Sequence, residues 1–368
     1  VPNLRFPEFS GEWRETKLKD VCDINAKTVP LNDVFLYIDL ESVVKGKLVK
    51  RNYISKQEAP SRAQRVLTRG DILYQCVRPY QLNNYFVGSE DSFQMVASTG
   101  YAQIRTKQSP EFIYHLLHTK SATNQVLDRC TGSNYPAINS SDLATIGIKL
   151  PSKEEQCKVA TIISLLDKLI DTQNKIIEDL KKLKVAIRDK QLNAIRKHYG
   201  LNYQICDLLD YEQPTKYVVT DTEYSEDRSK TPVLTANKAF ILGYTNETFG
   251  IYDKGKCIIL DDFTLDCKYV DFPFKVKSSA IKILTVKNGY SLRYVYEYLN
   301  YLNLETTEHK RHYISEIEPM MIAYPTDKKK IDDFNNMMSS LESKIEIENK
   351  YLQSLLAQKS YLLSNMFI

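Results

Sequence analysis

Two copies of one motif order, about 180 residues apart, constrain this chain more than any other feature, because a duplicated unit must close its core twice. Phe112-Ile113-Tyr114-His115-Leu116-Leu117 is echoed by Tyr294-Val295-Tyr296-Glu297-Tyr298-Leu299, and both read as helices. Upstream, Ser98-Thr99-Gly100-Tyr101 is matched by Ser278-Ser279-Ala280-Ile281, each leading into a run read as a strand, Ala102–Arg105 and Lys282–Val286. Downstream, Ile138 through Pro151 is matched by Ile314 through Pro325. The spacing between copies shrinks toward the prolines, which places insertions in loops, where diverged copies tolerate them.

A long charged helix with a heptad seam follows each proline. Ile162, Leu166, Leu169, Gln173, Ile176, Leu180, Leu183 and Ile187 alternate steps of four and three. Phe334, Met338, Leu341, Ile345, Glu348, Leu352, Leu355, Lys359, Leu362 and Met366 keep the same rhythm. Such a repeat favours helix pairing over one amphipathic helix laid on a globular core. Each seam carries one polar residue at the corresponding place, Gln173 and Glu348, read as fixing register, and the antiparallel pairing that the resemblance given below implies would bring the two into contact. The order is therefore globular unit, long helix, globular unit, long helix. Strand-like runs at Phe35–Leu40, Asp71–Cys76, Tyr101–Arg105, Cys257–Leu260 and Ala280–Val286, with a helix near each unit's end, predict an α+β fold. Asn193 to Gln204 reads as the connector between halves.

At 368 residues, with 43% hydrophobic and 26% charged residues and only 12 Gly and 13 Pro, the chain can build two cores and is not disordered or fibrous. No apolar stretch approaches the roughly 18 residues that span a bilayer, so no membrane role and a cytoplasmic location are expected. The chain opens at Val1 rather than Met, which leaves room for preceding residues. Its 7 scattered cysteines, Cys22, Cys76, Cys130, Cys157, Cys206, Cys257 and Cys267, contain no CxxC pair and read as buried thiols rather than disulfides or a zinc site. A net charge of +4 is too mild to identify a polyanion partner, so any basic face must be local. Tyrosine is in excess, 25 against 13 Phe, which suits wet interfaces.

The usual catalytic constellations are missing. There is no GxGxxG, no GxxxxGK[ST], no HExxH and no GxSxG. Asn134-Tyr135-Pro136-Ala137 is not the Asn/Asp-Pro-Pro-aromatic tetrapeptide with which amino-methyltransferases hold a flipped base. Asp261, Asp262 and Asp266 could be drawn as a metal site, but without a further ligand they read as a strand-end turn with solvated charge.

What remains is contact chemistry. Arg51, Asn52 and Tyr53, then Arg62 and Arg65, then Arg78, Tyr80, Gln81, Asn83 and Asn84 interleave basic, amide and aromatic side chains. Ser133, Asn134 and Tyr135 follow in the loop before the first proline. The second half offers Thr235, Asn237 and Lys238, then Lys275, Lys277 and Ser278, and above all His309, Lys310, Arg311, His312 and Tyr313. Arg reads guanine and Asn or Gln reads adenine through paired hydrogen bonds, whereas Lys, Ser and Thr hold phosphates. A helix cap at Gly132 and ordinary solvated charge are the competing account of any one of these residues. Recurrence at equivalent places in two copies supports the contact reading.

The opening Val1-Pro2-Asn3-Leu4-Arg5-Phe6-Pro7-Glu8-Phe9-Ser10-Gly11-Glu12-Trp13, followed by Lys17-Leu18-Lys19-Asp20-Val21, resembles the start of specificity subunits of Type I restriction–modification enzymes. So does Ile138-Asn139 to Leu150-Pro151-Ser152-Lys153-Glu154-Glu155-Gln156 running into a long helix. In the second half Thr231-Pro232-Val233-Leu234-Thr235-Ala236, Phe240 to Asn246 and His309-Lys310-Arg311 are similar to a recurrent target-recognition domain of that family. Pro325-Thr326-Asp327-Lys328-Lys329 departs from it by lacking Glu-Glu-Gln, which puts equal docking of the two helices on a partner in doubt.

The resemblance implies two target-recognition domains, residues 1–150 and 201–325, held apart by conserved helices in residues 151–200 and 326–368 that form an antiparallel coiled coil. Each domain would read one half of a split, asymmetric double-stranded DNA site. Two modification subunits carrying S-adenosylmethionine, and restriction subunits using ATP and Mg2+, would dock on this chain, which itself holds no cofactor. Heptads of about 26 to 33 residues make seams roughly 40–50 Å long, a little over one B-DNA turn. A DNA-binding regulator without enzyme partners and a free-standing methyltransferase are the competing classes. The missing motifs count against the second.

Overall fold

The computed structural model of the protein describes residues 2–27, 29–89, 91–237, 239–306 and 310–368. It divides into two compact units, the first made of residues 1–174 and 350–368 and the second of residues 175–349. Both long helices, Lys153–Tyr199 and Lys328–Asn365, therefore contribute to both units.

The duplication is visible strand by strand. In the first unit Cys22–Ile24, Tyr101–Thr106, Ile72–Gln75 and Tyr85–Phe86 lie side by side in that order, all antiparallel. In the second, Leu209–Glu212, Ile281–Val286, Cys257–Asp261 and Cys267–Val270 repeat the order and the directions. A further sheet in each unit is built on a parallel pair, Val34–Ile38 with Gln94–Ser98 and Thr231–Leu234 with Lys275–Val276. Antiparallel Asn52–Ser55 flanks the first pair and Ile241–Thr245 the second. Ala63–Leu67 and a hairpin, Val43–Val44 with Lys47–Leu48, are additions of the first unit.

Side chains one apart on a strand face opposite ways, and here they sort into two cores. Ile72, Tyr74, Ala102 and Ile104 join Phe112, Ile113 and Leu116 from the helix Pro110–Leu116, whereas Leu73 and Tyr101 join Leu36 and Ile38 of the other sheet. The second unit does the same. Ile258, Leu260 and Leu284 meet Tyr294, Val295 and Tyr298 of the helix Leu292–Leu302, while Cys257, Ile259, Ile281 and Ile283 meet Leu234 and Val276. Burial on both faces is why these strands read as runs of apolar residues and not only as clean alternation.

Within each unit the two long helices run antiparallel. In the first, Val159, Ala160 and Ile163 share a core with Met366 and Phe367, and Leu166 and Ile170 meet Leu355. In the second, Leu192 and Ile195 share a core with Ile331, Phe334 and Met338, and Lys184 reaches Glu342. The seam of the C-terminal helix lies as the heptads predict. That of the central helix is shifted at every other step: Ile163, Ile170 and Ile177 are buried, whereas Ile162, Leu169 and Ile176 are 36%, 52% and 40% exposed. Apolar residues stand at both members of each adjacent pair, so sequence spacing fits either phase, and the partner segment decides. The predicted connector is corrected as well. The helix continues through Tyr199 and stops at Gly200, whose φ of +67° suits a left-handed helix end that glycine adopts without strain.

Glu155 and Gln156 have inward roles. Glu155 is buried and accepts two bonds from the Arg5 guanidinium, at 2.8 and 2.7 Å, and one from Trp13 Nε1. Gln156 Oε1 accepts from Ser109 N–H at 3.2 Å, and its amide donates to the Pro151 carbonyl at 3.0 Å. The pair thus clamps the N-terminal arm and the start of Pro110–Leu116 to the central helix. This accounts for Glu155 and Gln156 within the first unit, whereas Glu154 is exposed. Removing the charged acceptor, as in Glu155→Ala, should lower stability by about 2 kcal/mol and speed tryptic cleavage after Arg5. A urea midpoint and cleavage rate equal to those of the wild type would show that the arm is held elsewhere.

Candidate nucleic-acid interface

In the first unit the strand Ile72–Gln75 ends in a loop that turns sharply around a short 3-10 helix, Pro79–Gln81. Arg78 and Leu82 flank it with φ of +54° and +52°, left-handed conformations that cost a non-glycine residue roughly 1–2 kcal/mol each. The strain persists because the loop is over-determined. Arg78 N–H donates to the Pro136 carbonyl at 2.8 Å, and Val77 pairs with Ala137, which fastens residues 131–137 alongside. Gln75 binds back twice, its amide to Gln81 Oε1 at 3.0 Å and its Oε1 to Asn83 N–H at 3.1 Å. Held this way, the Arg78 guanidinium stacks 4.3 Å over the ring of Tyr135, which is 65% exposed. Arg62 sits at the same strand ends, its carbonyl accepting from Thr99 N–H while Gly100 accepts from Cys76. A guanidinium kept planar on an exposed ring, beside exposed Tyr80, Gln81, Ser133 and Asn134, offers paired donors to a base edge or a phosphate.

The second unit gathers its loops at the corresponding strand ends. Lys277 N–H donates to the Leu234 carbonyl at 3.0 Å, which sets Lys277 and Ser278 beside the turn that carries Thr235 and Asn237. Ser278 Oγ accepts from Ala280 N–H, and the Ala280 carbonyl accepts from Asp262 N–H. Asp262 Oδ1 in turn accepts from the backbone N–H of His312 at 3.1 Å and of Tyr313 at 2.7 Å. Lys310 and Arg311 project from that last segment, Lys310 toward Glu316 at 3.0 Å and Arg311 6.0 Å from the Phe263 ring. Asn237, Lys277, Ser278, Lys310 and Arg311 are thus exposed on connected loops.

Several residues singled out by sequence are placed otherwise. Asn84, Thr235, Lys275, His312 and Tyr313 are buried and support loops instead of presenting side chains. Lys275 pairs with Glu247 at 2.8 Å and donates to the Phe249 carbonyl. The His312 ring lies between Glu316 and Thr306 Oγ1, each 2.9 Å away. Tyr313 packs edge-on against Tyr211. Arg65 is half-buried on the strand Ala63–Leu67. Arg51 and Tyr53 form another cluster, Arg51 paired with Asp91 at 2.6 Å and Tyr53 against Phe93, with Asn52 half-buried on the strand between them. Asn83 is half-buried and its Oδ1 accepts from Lys45 N–H. Lys238 and His309 lie outside the described residues. Asp262 is not solvated charge: it is buried against Lys282 at 3.4 Å, and no metal-holding group of three acidic, His or Cys residues occurs among the described residues.

Sequence reasoning passed over the hairpin tip, where Lys45 at φ +47° precedes Gly46 and Lys47 pairs with Asp171 at 2.5 Å. A Lys-Gly turn between the apolar pairs Val43-Val44 and Leu48-Val49 is the available signal. It also passed over the groove in the second unit lined by Arg228, Lys230, Tyr244 and Phe272, whose members are scattered along the chain.

Two α+β units of the same sheet order thus each gather strand-end loops with exposed cations and amides, and the first adds the exposed ring of Tyr135. Residues 10–182 match the model of the Type I restriction modification DNA specificity domain. It is 51% identical over 125 residues to the EcoR124I/EcoR124II specificity subunit of Escherichia coli, a match covering 32% of this chain and 31% of the relative. With the MjaIX specificity subunit of Methanocaldococcus jannaschii it shares 24% identity over 300 residues, covering 77% of this chain and 67% of that one. The chain thus spans about a third of the first relative. A Type I restriction–modification S subunit from M. genitalium superposes with a TM-score of 0.63 at 15% identity over 100% of this chain and 99% of the other. A chain from a type I R-M assembly superposes with 0.56 at 18% identity over 97% of both. These structures share the fold. No helix among the described residues is long and apolar enough to cross a membrane.

Behind the first unit's loop, burial, joined by the Lys359 charge, pushes the imidazoles of His115 and His118 down to about 3 and about 4. Both values lie below the unfolded value near 6.5, so the unfolded chain takes up protons first as pH falls. Stability of this unit is full above about 6.5 and declines as pH drops toward 4. Thermal unfolding from pH 8 to pH 4 should show that decline, and His115→Asn should flatten part of it.

Proposed function

We propose that the chain is the non-catalytic DNA-specificity subunit of a Type I restriction–modification complex, acting in the cytoplasm and reading a bipartite, asymmetric double-stranded site with one half assigned to each unit. The observation that carries this is the Arg78 guanidinium held flat on exposed Tyr135 at the end of a strained, fully braced loop. Strain maintained by so many bonds is characteristic of sites that must meet a ligand in one geometry. Asn237, Lys277, Ser278, Lys310 and Arg311 take the matching role in the second unit. Two modification subunits and the restriction subunits are its partners in this reading, and S-adenosylmethionine, ATP and Mg2+ belong to them. Exposed Ile162, Leu165 and Leu169 on the central helix support such docking, since an apolar stripe left in water is costly unless covered. Gln173 and Glu348 set the helix register in the same proposal.

Two experiments test this. The purified chain alone should transfer no methyl group to DNA and should do so once its modification subunit is added; transfer by the chain alone would end the non-catalytic reading. Replacing Arg78 by Ala, or Tyr135 by Leu, should lower discrimination at one half-site by about 1–3 kcal/mol for the arginine and less for the ring. Selection from duplexes randomised in both halves reads this directly. Loss at both half-sites after either substitution would refute modular reading.

A further inference from the structure

The bracing of the Arg78 loop leads back to a residue with no contact to its tip. Asn84 is buried at the loop's end, and its Oδ1 accepts the backbone N–H of Gln75 at 2.8 Å. That bond fixes the amide's orientation and sends Nδ2 toward His118 Nε2, 3.3 Å away. His118 Nδ1 lies 2.7 Å from the Tyr114 carbonyl, which can only accept, so Nδ1 carries the proton and Nε2 is left as the acceptor that Asn84 requires. The ring also packs on Tyr114, with centroids 4.5 Å apart. We propose that His118 is a positioning residue for base reading in the first unit: through Asn84 it ties the loop that presents Arg78 to the helix Pro110–Leu116. The proposal rests on the DNA-reading function above.

Three features make the tie specific. Turning the Asn84 amide over does not relieve a lost acceptor, because its NH2 would then oppose Gln75 N–H. The neutral ring is the form present wherever DNA is bound, since burial first, and the Lys359 ammonium after it, hold His118 down to about 4 against the pull of the Tyr114 and Leu82 carbonyls. The loop between Gln75 and Asn84 also stores two left-handed residues, Arg78 and Leu82, so slack at Asn84 is taken up by relaxation at Arg78. In the second unit a buried carboxylate, Asp262, fixes the segment that carries Lys310 and Arg311 without an Asn–His tie, and that unit is a built-in control.

The test uses the full chain and a pool of duplexes randomised in both half-sites. His118→Leu keeps bulk but removes the acceptor, and losing one such bond should reduce discrimination at the first half-site about tenfold while the second half-site is unchanged. His118→Gln places an amide oxygen where Nε2 stood and should recover discrimination to within about threefold of wild type. Rescue by glutamine separates positioning from packing, because a purely structural site prefers leucine. Unchanged discrimination in His118→Leu, equal loss at both half-sites, or failure of His118→Gln to restore reading while its melting temperature is retained each overturns the proposal. If wild-type protein enriches no sequence at all, the DNA-reading function itself fails, which the wild-type arm reports before any variant is compared.

Discussion

Each unit of this protein closes its core on helical segments that come from far away in the chain. Phe112 stacks on Phe367 with centroids 5.0 Å apart, and Tyr294 meets Phe334 at 5.3 Å. Without those segments the helix-facing side of each central sheet would lie open, and burial of such aromatic and aliphatic surface is the dominant favourable term in a fold of this size. Everything at the strand ends depends on this closure. The loops are presented by strands whose positions are set by what packs beneath them, so the loop surface inherits its rigidity from the helix pair.

The two units solve one mechanical problem with different chemistry. In the first, the loop after the central strand is braced by neutral groups, Gln75, Asn83, Asn84 and His118, each a donor to one neighbour and an acceptor from another. In the second, buried charge does the bracing, with Asp262 between Lys282 and two backbone N–H groups and with Lys275 against Glu247. A buried pair tolerates the loss of one partner poorly, whereas a neutral network loses one bond at a time. Divergence of the copies therefore reached the supports as well as the loop tips, while the sheet order stayed fixed.

Much of the architecture was legible because it is written in periodicity. Runs such as Cys257–Leu260 and helices such as Phe112–Leu117 announce themselves by apolar spacing, and their recurrence in one order exposes the duplication. The phase of the central helix was not legible, since Ile162 and Ile163, like Ile176 and Ile177, offer the same hydrophobicity to either face. The contact residues were legible only as types. Arg78 and Tyr135 can be suspected separately, but nothing in the sequence says that they stack across a gap of many residues. Asn84, Lys275 and His312 look like surface polar residues in loops, and only the tertiary structure shows them inside, because burial of a polar side chain depends on a partner supplied from elsewhere.

The division of the chain also orders its synthesis. The first unit needs residues 350–368, whereas the second is complete by residue 349. On the ribosome, then, the second unit has all its parts before the first can close, the reverse of the usual N-terminal-first order. Until that moment the sheet carrying Ile72, Tyr74 and Ile104 waits with the Phe367 side of its core unfilled. From residue 174 until residues 350–368 are made, the first half stays open, and exposure to aggregation or chaperone capture is longest for that half.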